Sequence, residues 1–148
     1  MRSYIADDLR RTIAERAQSL CEYCLVQEDD TYFGCEVDHI ISVKHGGATT
    51  IDNLALACFY CNRNKGSDIG SIVWQTNEFV RFFNPRIDDW ADHFRLNGVT
   101  IESLDNIGAV TTRILGFNDP ERILEREELA TLGRYPPAAA LVRVRRTK

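Results

Sequence analysis

Cys21-Glu22-Tyr23-Cys24 and Cys58-Phe59-Tyr60-Cys61 bracket Val37-Asp38-His39-Ile40 and Asn53-Leu54, and the second pair runs on into Asn62-Arg63-Asn64-Lys65-Gly66. A two-residue gap lets each passage of the chain offer two sulfurs to one ion, and tetrahedral zinc takes four. Cys21, Cys24, Cys58 and Cys61 are therefore expected to hold a structural Zn²⁺. Between the pairs lie a carboxylate, an imidazole and a carboxamide. That set suits holding a hard cation and activating a water beside a phosphodiester.

Outward from this stretch, Leu9, Ile13, Ala17 and Leu20 recur at helical spacing, which predicts an amphipathic helix over 7–20 delivering Cys21. Aromatic and β-branched residues predict a strand over 32–41 carrying Asp38 and His39. A Gly-rich loop at 44–50, with an exposed His45, leads to a second extended segment at 51–57. A short helix over 58–65 should stop at Gly66, with Asn62 and Lys65 sharing a face. Beyond residue 68, Ile72-Val73-Trp74 and Phe79 to Phe83 predict a hairpin, and 90–96 reads as a short aromatic-rich segment. Helices are expected over 103–115 and from Asp119-Pro120 to about Gly133. The expected organisation is a core at 1–70, an extension at 71–135 packed on it, and a basic tail at 136–148.

At 148 residues and 44% hydrophobic, the chain is long enough for one compact catalytic module. Residues 1–11 are charged, without an apolar stretch of signal-peptide length, and no later run spans a bilayer, so no membrane is expected and a cytoplasmic location is. Five cysteines, four of them in pairs, fit metal in a reducing compartment, with Cys35 as a strand residue and not a fifth ligand. The net charge is −4, yet the last fifteen positions hold five cations and no acid, leaving −9 on the rest. Such a balance argues against a strong nonspecific grip on phosphates.

Taken together, Cys21-x-x-Cys24, Val37-Asp38-His39-Ile40, Gly46-Gly47, Asn53-Leu54 and Cys58-x-x-Cys61-Asn62-x-x-Lys65-Gly66 resemble the HNH endonuclease family over about residues 16–68. The resemblance implies an α+β fold: a ββα-metal core stapled by a four-cysteine zinc knuckle, followed here by a mixed, largely helical C-terminal extension. It implies His39 as the general base, Asp38 and Asn62 as metal ligands, and Asn53 as a brace for the loop that aims His39. The nucleic acid it implies is DNA, cut to 5′-phosphate and 3′-hydroxyl ends. The two oxygen donors leave room for waters and phosphate oxygens, which suits Mg²⁺ or Mn²⁺. Lys65 and Arg16 are candidate phosphate contacts, each with the plainer alternative of a solvated helix cation. Two positions depart from the family's common pattern. Asn62 stands where histidine is frequent, which shifts metal preference away from zinc or nickel, and Ser42 stands where many members have proline.

Asp92-His93 repeats the Asp-His pairing without the Asn-Leu and Cys-Asn context and is expected to be structural. A zinc-ribbon binding module that does not cut is the rival reading, opposed by the joint presence of Asp38, His39, Asn53 and Asn62. A CxxC thiol oxidoreductase is disfavoured because two pairs that can converge on zinc make structural thiolates, and no thioredoxin-like βαβ pattern surrounds either. The oligomeric state stays open.

Overall fold

The computed structural model describes residues 5–145. Its first helix, α1 (Asp7–Arg16), buries Ile13 and half-buries Leu9. It stops short of the expected Leu20. Gln18 and Ser19 take left-handed backbone conformations (φ 55° and 58°), which turn the chain so that Leu20 bridges Gln27 and Cys21 N–H donates to the Val26 carbonyl. The apolar stripe was legible, but its last members, Ala17 and Leu20, are buried from a turn.

The central unit is antiparallel β1 (Cys35–His39) and β2 (Leu54–Cys58), followed without a linker by α2 (Phe59–Lys65). The register sets Cys35 opposite Cys58, Asp38 opposite Ala55 and His39 opposite Leu54. Both strands are shorter than expected, because Tyr32 and Phe33 lie in an exposed loop ending at Gly34 (φ 72°) and Ile51–Asn53 forms a 3-10 turn. Side chains alternate across a strand. Leu54 and Leu56 therefore pack with Ile13 and Ala17 of the α1 segment, while Ala55 and Ala57 join a second cluster with the extension. Being covered on both sides, β2 is buried at every position.

The extension begins with the expected hairpin, β3 (Gly70–Val73) and β4 (Glu78–Arg81). After α3 (Trp90–His93) comes a hairpin that the aromatic spacing does not announce, β5 (Phe94–Asn97) and β6 (Thr100–Ser103), turning at Gly98 and Val99. Gly98 (φ 63°) supplies the positive φ that a tight turn needs. Because Ser103 ends β6, α4 (Asn106–Leu115) starts later than the periodicity implies, capped by Asp105 accepting from Gly108 N–H. α5 (Pro120–Thr131) starts at Pro120 as expected.

One buried cluster runs from Tyr23 and Cys24 through Phe82, Phe83, Trp90 and Phe94 to Leu115, Phe117 and Tyr135, so extension and core share their interior. Nor is 136–145 a free tail. Ala140 is buried, α6 (Leu141–Val144) packs near α3, and Arg143 donates to the Ala17 carbonyl. Arg146 and Lys148 lie outside the described residues. No helix among the described residues is long and apolar enough to cross a membrane.

Candidate active site and thiol centre

The sulfurs of Cys21, Cys24, Cys58 and Cys61 lie within 4.8 Å of one another, all buried. The Cys24 and Cys58 sulfurs are 3.6 Å apart, close to the ~3.8 Å edge of a tetrahedron built on zinc–sulfur bonds of about 2.3 Å. Each pair forms a knuckle in which the later backbone N–H points at the earlier sulfur: Cys24 N–H to Cys21 Sγ at 3.4 Å, and Cys61 N–H to Cys58 Sγ at 3.5 Å. Burial pushes the Cys21 and Cys61 thiols up, while hydrogen bonds from Cys21, Cys58 and Cys61 pull the Cys24 thiol down. The cluster is compatible with a zinc site. Cys35 stands outside it, half-buried on β1, its thiol also raised by burial.

Three side chains of the extension clasp this centre. Arg122 of α5 is 2% exposed and places Nη2 3.1 Å from Cys61 Sγ and 3.6 Å from Cys58 Sγ. Its Nη1 donates to the carbonyls of Leu115 and Gly116, and the ring of Tyr60 lies 5.3 Å away. Burial opposes its charge, but the sulfurs of Cys61, Cys24 and Cys58 outweigh that and keep it protonated. Trp90 Nε1 donates to the Tyr23 carbonyl and Tyr135 Oη to the Cys24 carbonyl, each at 2.8 Å. Of these three, Arg122 was not singled out from the sequence, and Trp90 and Tyr135 were read only as parts of the extension, with no role at the thiols. Arg122 and Arg126 sit four apart in a charged helix that reads as solvated, and both are buried.

On the other side of β1, Glu36, Asp38, His39 and Asn62 line a cleft of about 810 Å³ together with Ile5, Arg10, Lys44 and Gly66. Alternation puts Glu36 and Asp38 on one face of the strand. Asp38 is 8% exposed, and its Oδ2 lies 3.0 Å from Lys65 Nζ. That contact is an ion pair without a well-directed hydrogen bond, so Oδ2 is a buried carboxylate oxygen with no hydrogen-bond partner. Burial raises the Asp38 carboxyl, and Lys65 pulls it back down. Asn62 donates Nδ2 to Glu36 Oε2 at 2.8 Å, which leaves its carbonyl oxygen as the end to meet a cation. Two oxygen donors, a buried carboxylate balanced by Lys65 and a neutral amide, suit a hard divalent ion.

His39 is half-buried, with Nε2 2.8 Å from Thr49 Oγ1. Burial, then the Lys65 charge, lowers its pKa below the ordinary histidine value, which favours the neutral ring. Asn53 spans the loop that follows. Its Oδ1 accepts from Ile41 N–H, while Nδ2 donates to the carbonyls of Ile41 and Ala48, all at 2.9 Å. The loop passes so close that a Cβ on Gly47 would fall 1.7 Å from the Ile41 oxygen. Glu36 and Thr49 are additional site residues. The first was signalled by standing two positions before Asp38, the second by nothing local.

The two cations expected at phosphate are placed differently. Lys65 is 1% exposed and spends its ammonium on Asp38 and on the His39 carbonyl at 2.8 Å. Arg16 donates to the carbonyls of Ile51 and Leu54, tying α1 to the start of β2. Helical position alone puts Lys65 on a face but does not say that a buried carboxylate waits across it. Lys65→Met should cost about 3–5 kcal/mol in urea unfolding, because it strands a buried charge. A loss under ~1 kcal/mol would show that Asp38 is balanced by other means. His93, meanwhile, lies 2.6 Å from Asp105 and 3.8 Å from Asp88, which also pairs with Arg81. It belongs to a structural network that joins α3 to the cap of α4, far in sequence from the cleft residues. His45 is exposed, as expected.

No curated protein and no solved structure matches the chain. The four thiols, both strands, α2 and the cleft residues Glu36, Asp38, His39 and Asn62 nonetheless fall within residues 21–68, and it is this segment, under half of the chain, that matches the family model for HNH endonuclease, a domain typical of nucleases.

Proposed function

We propose that the protein is a metal-dependent HNH endonuclease that hydrolyses phosphodiester bonds of DNA. The observation that carries this reading is the convergence of Asp38, His39 and Asn62 on one cleft. His39, neutral and tethered by Thr49, takes a proton from the attacking water. Asp38 and Asn62 hold Mg²⁺ or Mn²⁺, with Glu36 fixing the Asn62 amide and Lys65 holding Asp38 in place. When bound, that cation polarises the phosphate and steadies the departing 3′-oxygen. Asn53 keeps the loop behind His39 in register. Cleavage leaves 5′-phosphate and 3′-hydroxyl ends. The four cysteines hold zinc in a structural role, because four protein ligands leave no position for substrate. Reduced thiols of this kind suit a cytoplasmic protein.

Zinc-loaded protein should nick supercoiled plasmid when given Mg²⁺ or Mn²⁺ and stop when EDTA is added briefly enough to spare the zinc. Intact plasmid under every metal condition, with zinc bound and the fold melting cooperatively, would favour a zinc-ribbon module that binds without cutting.

A further inference from the structure

Tyr32 and Phe33 are 90% and 59% exposed, unusual for adjacent large aromatic side chains. They are held nonetheless. The loop that carries them is pinned by Glu28, whose carbonyl accepts from Thr31 and whose carboxylate accepts from Cys35 N–H. Their rings meet edge to face at 4.8 Å, Phe33 packs on Phe59 at 4.5 Å, and the Arg63 guanidinium lies 5.7 Å from the Phe59 ring.

This patch adjoins the cleft along two elements. Phe59, Asn62, Arg63 and Gly66 are spaced i, i+3, i+4 and i+7, one stripe of α2 and its end. Asn62 and Gly66 line the cleft at one end of that stripe, and Phe59 carries the aromatic rings at the other. On the strand side, Phe33 precedes the cleft residue Glu36 by three positions.

Charge says which form of nucleic acid suits the surface. The chain carries a net −4, and Lys65 is spent on Asp38. A duplex held through its phosphates needs many cations. A single strand also needs cations along its backbone, here Arg10 and Lys44 of the cleft. It gains in addition from ring faces on which its bases stack, and arginine stacks on them too. Resting on the nuclease reading above, we infer that Tyr32, Phe33 and Arg63 form a stacking platform for unpaired bases, making single-stranded nucleic acid the preferred substrate.

The test is fluorescence anisotropy with a labelled single-stranded DNA 20-mer and its duplex, using zinc-loaded full-length His39→Ala protein so that nothing is cut. Single strand should bind more tightly than duplex. Adding Tyr32→Ala and Phe33→Ala should weaken single-strand binding about 10- to 100-fold, with duplex binding changed less than about twofold. Because both side chains are exposed, zinc content and melting should not move, and Phe33→Leu, which keeps bulk without the ring, should lose part of the affinity. Equal affinity for the two forms, an unchanged single-strand affinity in the double variant, or equal losses on both forms would each overturn the platform. Cleavage by wild type is scored separately: stacking-dependent binding with no cutting of either DNA would overturn the nuclease reading and leave the surface standing.

Discussion

His39→Ala should lower plasmid cleavage by about 10²–10⁴-fold, the usual contribution of a positioned general base, while leaving zinc content, melting and DNA binding close to wild type. The expectation rests on three features. The imidazole is half-buried at the mouth of the cleft and not in the interior, so removing it opens no large void. The interaction it loses is a hydrogen bond from one ring nitrogen to Thr49, and the loop beyond it remains held by Asn53 through three bonds that do not involve His39. The bonds that fix the strand end at this point come from the backbone, with Lys65 on the His39 carbonyl and Ile40 N–H on the Asn53 carbonyl, and alanine keeps both. Activity should therefore fall without the fold. Full cleavage by the variant would move the base to another residue. A collapse of melting would mean that His39 is structural after all.

Removing zinc should unfold the protein. A structural site of this kind supplies roughly 10–16 kcal/mol of apparent binding energy, as much as the whole stability of a typical domain at ~5–15 kcal/mol. The thiol centre also joins separate parts of the chain at the middle of the shared apolar cluster. Cys21 and Cys24 sit in tight turns after α1, Cys58 and Cys61 at the junction of β2 with α2, and Arg122 ties α5 to the sulfurs. Dialysis against a strong chelator under reducing conditions should abolish the cooperative thermal transition, and readding zinc should restore it. A chelated protein that keeps its melt would show that the apolar cluster suffices. Arg122→Met offers a graded version. Losing hydrogen bonds to metal-bound ligands commonly costs 10–100-fold in affinity, so zinc release to a colorimetric chelator should speed up by at least about tenfold.

What could be read from the residues divides by range. Metal-ligand spacing is local, so the two Cys-x-x-Cys pairs and the order Asp38, His39, Asn53, Asn62 were legible, as was the ββα arrangement that the family resemblance implied. Interactions made across the fold were not. Lys65 reads as a surface lysine because nothing near it in sequence announces Asp38, and Arg16 as a surface cation because its acceptors are main-chain oxygens, which leave no trace in composition. The buried face of α5 is built from Arg122 and Arg126, the second donating to the Val99 carbonyl and Asn118, so a hydropathy pattern inverts there. The β5–β6 hairpin was not read from the sequence, because the aromatic run before Gly98 draws the eye toward a single segment.

The order in which the clasps occur along the chain sets a constraint on biosynthesis. All four thiols precede in the chain the residues that lock them, Trp90 on Tyr23, Arg122 on Cys61 and Tyr135 on Cys24. At ~5–20 residues per second, the four thiols are made seconds before Arg122 and Tyr135 can cover them. Metal can thus be taken up before the clasps exist, whereas its retention draws on Trp90, Arg122 and Tyr135.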